Sequence, residues 1–176
     1  MSLTFVTGGA RSGKSAYALR LAKAADSPVA MIATAEARDA EMRERIEAHR
    51  RERPATWRTV EEPLDLAGAL RGLAEGEYAV VDCLSLWTSN LLEHQSAATI
   101  ERLAAEAAAL AAAHEGGCVA VSSEVGLGIV PESPLGRSFR DAQGRLNMRV
   151  AERADRVILM AAGLPLVMKD RPFGGP

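Results

Sequence analysis

Eight residues near the start of the chain carry the clearest chemistry. Gly8-Gly9-Ala10-Arg11-Ser12-Gly13-Lys14-Ser15 has the spacing G-x-x-x-x-G-K-[ST]. Glycines at those positions let a backbone wrap closely around a phosphate, so that several N–H groups point inward at the anion. Lys14 supplies a positive charge for the β- and γ-phosphates, and the Ser15 hydroxyl is of the type that ligates Mg²⁺. A helix beginning at this point adds the positive end of its dipole. A glycine turn between a strand and a helix would not explain Lys14 and Ser15 together. Lysine is also scarce in this chain, standing only at Lys14, Lys23 and Lys169.

Further reactive side chains are scattered along the sequence. Asp82 ends an apolar run, where the second acidic element of a phosphate-loop enzyme holds Mg²⁺ directly or through water; a carboxylate capping the next helix is the plainer alternative. His49 lies among arginines, with Arg45 four residues before it and Arg53 four after, and neighbouring cations favour the neutral, nucleophilic imidazole. A packed or exposed histidine remains open on the residues alone. The arginines at 43, 45, 50, 51 and 53 are equally readable as one solvated face shared with Glu41, Glu44, Glu47 and Glu52. His94 and His114 fall at helix ends and suggest no chemistry. The stretch from Ser123 to Pro131 is too apolar for an ordinary surface loop; its glycines and Glu124 suit a backbone approaching a ligand, or else a buried connection. Arg137, Arg140 and Arg145 are candidates for phosphate, for a neighbouring subunit, or for water.

Short apolar runs alternate with helical stretches and set where these residues stand. Strands are predicted at 3–7, 29–34, 57–60, 78–82, 118–122 and 156–161, with a further one near 166–168. Helices are predicted at 15–22, 39–53, 64–73, 84–92, 97–114 and 135–154. Met42, Ile46 and His49 recur at i, i+4, i+7 and so share one helix face. Gly116-Gly117 stops the alanine-rich helix before the 118–122 strand. This alternation predicts an α/β fold of the phosphate-loop NTPase type (RecA-like), a mostly parallel sheet with helices on both faces. In such sheets ligands sit beyond the carboxyl ends of the strands. The phosphate loop, Thr34, Asp82 and the 122–128 loop all follow strands at that end, which predicts one shared site.

Composition narrows the class. The 176 residues have 48% hydrophobic and 25% charged content, which fits one globular domain over 1–176 with a sizeable core. A net charge of −2 gives no electrostatic case for nucleic acid. No apolar run approaches the roughly 20 residues of a membrane helix, and the early first strand leaves no room for a signal peptide. Cys83 and Cys118 lack metal-type spacing and read as free thiols of a reducing compartment. The expectation is a cytoplasmic protein.

Several segments taken together resemble one family, the bifunctional adenosylcobinamide kinase / adenosylcobinamide-phosphate guanylyltransferase of cobalamin biosynthesis. They are Thr7 to Ser15, Ile32 to Ala35, Asp39 to His49, Trp57 to Thr59, Val81 to Leu84 with Asn90-Leu91, Glu124 to Pro131, and Phe139 to Asn147. The likeness runs from about Leu3 to Lys169, and the Glu124 and Phe139 blocks are the specific ones. The resemblance implies that ATP or GTP phosphorylates the aminopropanol hydroxyl of adenosylcobinamide. It further implies that His49 takes GMP from GTP, releases pyrophosphate, and passes GMP to adenosylcobinamide-phosphate. Splitting a displacement in this way is covalent catalysis. Lys14 and His49 are then catalytic, and Ser15 and Asp82 hold Mg²⁺. Ala33, Thr34, Ala35, the segment Arg50-Arg51-Glu52-Arg53, Glu61 and Asp82 join the phosphate loop around the nucleotide, Glu61 as a candidate acceptor for guanine N–H groups. The resemblance also implies a homotrimer. Three positions depart from the family: Asp82 where Glu is frequent, Ser123 where Asn is frequent, and Met148 where Gln is frequent.

Two other functions compete on the residues. A phosphate-loop kinase of a small alcohol would leave His49 structural and form no covalent adduct. A GTP-hydrolysing switch would carry an Asn-Lys-x-Asp stretch, which this sequence lacks.

Overall fold

Alternate residues of the central strands are apolar on both sides, and the structure buries both. The computed structural model describes residues 2–170, the side chain of Arg45 excepted. Seven strands form one sheet: β1 (Leu3–Gly8), β2 (Val29–Ala33), β3 (Arg58–Glu61), β4 (Tyr78–Asp82), β5 (Cys118–Val121), β6 (Arg156–Ala161) and β7 (Leu164–Asp170). Their order is β3-β2-β4-β5-β1-β6-β7. β1 to β6 pair in parallel, and β7 returns antiparallel to β6 as the edge strand. The six helices are α1 (Lys14–Ala24), α2 (Ala40–Arg51), α3 (Leu66–Arg71), α4 (Leu84–Leu92), α5 (Ala97–Ala113) and α6 (Pro134–Arg153). The predicted elements are all present. The third helix is shorter than the 64–73 expected, because Asp65, not Pro63, begins it by accepting the Gly68 N–H.

The period-2 pattern divides the core in two. Leu3, Phe5, Ile32, Ala79, Val81, Cys118, Ala120 and Val157 face α3 to α6, with Trp87 and Leu146 among the filling side chains. Val6, Met31, Val80, Val119, Val121, Ile158 and Met160 turn the other way onto Ala18, Leu19 and Ala22 of α1. Both faces of a parallel sheet are thereby dry, as its backbone geometry requires. Burial pushes the Cys118 thiol up to about 12 and the Cys83 thiol up to about 11, so both stay protonated and free. Among the described residues no helix is long and apolar enough to cross a membrane.

Helix α2 is the exception to this packing. Among its described side chains only Met42, Ile46 and His49 are partly buried, and the rest are exposed. The predicted common face is therefore present but only half covered. Asp39 fixes the start of the helix by accepting the Met42 N–H at 2.7 Å.

One buried carboxylate holds the opposite end of the sheet. Glu77 accepts a fork of two bonds from Arg58, at 2.9 and 2.5 Å, and a third from the Ala74 N–H at 2.8 Å. The Arg58 guanidinium chiefly, then the Ala74 amide, hold its carboxyl below the usual carboxylate range against the opposing effect of burial. A group with a depressed folded value contributes stability above its unfolded value and loses it as pH falls through the folded one. Glu77→Gln should therefore lower the thermal midpoint by about 3–6 °C at neutral pH. The gap from wild type should close progressively on acidification below the ordinary Glu range, as read by thermal melts across pH.

Candidate nucleotide-binding site

The phosphate loop is shaped before any ligand arrives. Gly8 has φ +145°, and a Cβ there would collide with the Met160 carbonyl oxygen of β6. Gly13 has φ +92° and starts α1 without a side-chain cap. Only glycine takes both positions without strain. The β6–β7 turn backs the loop, with the Gly163 N–H donating to the Ser12 carbonyl at 3.2 Å. The Ser12 hydroxyl is buried with no protein partner.

Caps differ around the molecule in a way that marks the site. Asp39, Asp65, Ser96 and Ser133 each cap a helix with a side-chain oxygen. α1 and α4, which begin at Gly13 and Cys83 beside the phosphate loop and Asp82, have no such cap. Asp82 is thus not the cap of α4. Its oxygen instead accepts from the Ser15 hydroxyl at 3.4 Å.

Four predicted residues converge on that carboxylate. Burial raises Asp82 above the ordinary carboxylate range, and His49, Ser15, Arg53 and Lys14 oppose the shift in that order. Lys14 is lowered, chiefly by burial, with Cys83 and Asp82 acting against it. Its Nζ donates to the Gly9 carbonyl of its own loop at 2.6 Å. Arg53 is also lowered by burial, and its Nη1 is buried without a partner. Ser15 of α1 thus touches Asp82 at the end of β4, and the α2 region acts on the same carboxylate electrostatically, at the carboxyl end of the sheet where ligands of such folds sit.

The remaining predicted residues take graded positions. Thr34 is fully buried; its hydroxyl donates to the Cys83 carbonyl at 2.7 Å and accepts the Cys83 N–H at 3.0 Å. It sits between Ala33, which pairs with Asp82, and Ala35, and it holds the backbone that carries Asp82. Glu61 at the end of β3 is ion-paired with Arg50, tying the last turn of α2 to the sheet. Arg51 and Glu52 are exposed, and a Glu52 oxygen stands 3.9 Å from His49 Nδ1. Arg45, the other expected cationic neighbour of His49, has a side chain outside the described residues. Arg137 donates to the Pro131 and Glu132 carbonyls, Arg140 lies 3.7 Å from Asp141, and Arg145 is exposed. Gly9, Ala10 and Arg11 form the crest of the phosphate loop. His114 bonds the Glu77 carbonyl far from this cleft.

Sequence reasoning missed two supports. Asn90 donates to the Thr34 and Pro63 carbonyls, while Arg38 bonds Asn90, Glu36 and Glu93. An asparagine within the apolar α4 was the available signal. A second network, Gln143, Asn147 and Ser122, links α6 to the end of β5. Its signal was a Gln and an Asn four residues apart on the buried face of α6. At Ser123 the network uses only backbone, through Asn147 Nδ2 and Ser85 Oγ, so the departure at 123 leaves it intact. Met148 is 61% exposed and takes no part in it.

The donors suit a hard divalent cation. Ser15 and Asp82 offer one hydroxyl and one carboxylate at one point, and Mg²⁺ bound with a nucleotide takes its remaining ligands from water and phosphate. A carboxylate disfavoured by burial is the group such a cation relieves.

Comparison with known proteins identifies relatives of nearly the whole chain. A family model described as "Cobinamide kinase / cobinamide phosphate guanyltransferase" matches residues 4–168. The "Bifunctional adenosylcobalamin biosynthesis protein CobP" of Pseudomonas aeruginosa is 47% identical over 172 residues, covering 96% of this chain and 98% of that protein. The "Bifunctional adenosylcobalamin biosynthesis protein CobU" of Escherichia coli is 39% identical, covering 95% and 99%. Among solved structures, an ATPase domain superposes with a TM-score of 0.54 at 12% identity, over 99% of this chain and 78% of that one. An ATPase from the type III secretion system of pathogenic bacteria gives 0.54 at 12% identity, over 90% and 50%. At such identities the structural likeness concerns the fold alone, a phosphate-loop ATPase fold.

Proposed function

The chain belongs to the cobinamide kinase / cobinamide phosphate guanyltransferase family, and we propose that it performs both transfers around the Asp82 carboxylate. In the first, the aminopropanol hydroxyl of adenosylcobinamide attacks the γ-phosphorus of ATP or GTP. The P–O bond to the nucleoside diphosphate breaks and the hydroxyl proton is lost. In the second, a nitrogen of His49 attacks the α-phosphorus of GTP, a P–N bond forms, and pyrophosphate leaves. The phosphate of adenosylcobinamide-phosphate then attacks the same phosphorus, giving adenosylcobinamide-GDP and freeing the imidazole.

The observation that carries this reading is the Ser15 hydroxyl of the phosphate loop donating to Asp82 at 3.4 Å, with His49, Arg53 and Lys14 close enough to that carboxylate to act on it electrostatically. A nucleophile on α2 and a phosphate-loop lysine on α1 act electrostatically on the same carboxylate, and we assign both to one bound triphosphate. The amides of Gly8 to Gly13 and the Lys14 ammonium disperse phosphate charge in either transfer. Ser15 and Asp82 would hold Mg²⁺, which would neutralise charge on the phosphate oxygens. Arg53, with its unpartnered Nη1, stands ready for a phosphate oxygen. Arg50, Arg51 and Glu52 line the nucleotide side of α2. Glu61, once released from Arg50, accepts from guanine N–H groups, while Ala33, Thr34 and Ala35 shape the floor. The assembly we propose is a cytoplasmic homotrimer. The half-covered face of α2 and the exposed Leu164, Leu166, Val167 and Met168 of β7 both offer surface to a neighbour.

Label transfer tests the scheme. Protein incubated with Mg²⁺ and GTP labelled at the α-phosphate should acquire an acid-labile, alkali-stable adduct; GTP labelled at the γ-phosphate should give none. Absence of the α-adduct in protein that still binds GTP and phosphorylates adenosylcobinamide would remove the covalent step.

A further inference from the structure

We propose that the loop between β5 and α6 is the surface on which the corrinoid lies, its macrocycle resting on Leu127, Ile129 and Val130 while its aminopropanol arm reaches the phosphate loop. The inference rests on the corrinoid reading above and assigns that substrate a place on the molecule. Leu127 is 87% exposed, Ile129 97% and Val130 55%. Single exposed apolar side chains are ordinary on protein surfaces, but three within four positions form a patch that asks for a partner. The expected alternative, a buried connection, is excluded by these exposures.

The loop is held in place at both ends. At its root the Ser123 N–H donates to Ser85 Oγ at 2.7 Å, and Asn147 Nδ2 donates to the Ser123 carbonyl at 3.0 Å. Asn147 is in turn fixed by Ser122 and Gln143 inside the buried network. At its far end Arg137 donates to the carbonyls of Pro131 and Glu132 at 3.1 and 2.6 Å. Anchors on both sides hold the apolar side chains outward, and a preorganised surface loses less entropy on binding.

Position selects the occupant. The Glu124 N–H donates to the Gly8 carbonyl at 3.0 Å, so the loop leaves the sheet in direct contact with the phosphate loop. A molecule lying on residues 127–130 is therefore a neighbour of the reacting phosphates. The acceptor in this family is a macrocycle with methyl-bearing faces and a rim of carboxamides. Apolar side chains suit its faces. The backbone at Gly128, with no atom within 4 Å of where a Cβ would stand, is open to its amides. ATP and GTP have no use for such a surface.

The test is a Leu127→Ser/Ile129→Ser double variant of the full chain. Because both side chains are exposed, its thermal midpoint should stay within about 2 °C of wild type. We expect KM for adenosylcobinamide in the kinase reaction to rise about 10–100-fold, with the same shift in corrinoid affinity by equilibrium dialysis. GTP affinity and sedimentation behaviour should match wild type, and Leu127→Met/Ile129→Val should restore most of the loss. Unchanged corrinoid affinity in the serine variant would overturn the proposal. So would a change in sedimentation, which would assign the face to a second copy of the chain. Wild-type protein that binds no corrinoid would defeat the functional reading itself, and the docking surface with it, before any variant is made.

Discussion

Guanylyl transfer from GTP to adenosylcobinamide-phosphate falls by about 10⁴–10⁶-fold in a His49→Ala variant, while phosphoryl transfer to adenosylcobinamide stays within about threefold of wild type. The size of the first effect follows from removing the nucleophile, since no neighbouring side chain on α2 replaces an imidazole. The smallness of the second follows from position. His49 is half exposed on a helix that buries none of its described side chains fully, and alanine is the best helix former. The phosphate loop and the Ser15–Asp82 pair lie on other elements and remain as they are. Assaying the two half-reactions separately, each with saturating Mg²⁺, checks the split. Equal loss of both activities in folded protein would mean that His49 supports the site without carrying GMP, and retained guanylyl transfer would remove its role altogether.

The second large effect has opposite signs in activity and stability. Asp82→Asn lowers both transfers by about 10²–10³-fold, through loss of the charge that holds the metal and of part of the electrostatic frame. The same substitution raises the thermal midpoint of the metal-free protein by about 2–4 °C at neutral pH. Burial holds Asp82 above the ordinary carboxylate range despite His49, Ser15, Arg53 and Lys14. A group with a raised folded value favours the folded state below its unfolded value, and that advantage is lost as pH rises through the folded value. At neutral pH its charge is a net cost, which asparagine removes. The gain should shrink as pH falls through the raised folded value and vanish below the ordinary Asp range, where wild type carries the proton in both states. Mg²⁺ with GTP should stabilise wild type more than the variant and reverse their order. A variant that melts below wild type in chelator at neutral pH would contradict this account. The trade is the familiar one between a stable fold and a charged site kept ready for a ligand.

The phosphate loop was legible from its residues because its function is local. The backbone path that Gly8 and Gly13 permit and the charge of Lys14 lie within eight consecutive positions. The strand order was not written in the same way, yet alternating apolar runs and helices sufficed for a parallel α/β sheet, and the placement of Asp82 at a strand end followed from it. His49 was different. Its neighbours in sequence are arginines and glutamates, compatible with a solvated face, and only the fold brings it close enough to Asp82 to act on that carboxylate. Thr34 shows the same limit from the other side: the sequence marks its position, but the fold commits its hydroxyl to Cys83. Asn90 in the apolar α4, and Gln143 and Asn147 on the buried face of the charged α6, look like stray polar residues until the fold supplies their partners, 25 or more positions away for the pairs Ser122–Asn147 and Asn90–Thr34. The sequence by itself determined the nucleotide site and the class of fold, because those depend on short-range backbone geometry and on the period of apolar residues. The tertiary structure alone decided which distant charges share a carboxylate and which way the 123–135 loop presents its side chains, because burial and Coulomb interactions depend on distance in space, which the order of residues along the chain does not contain.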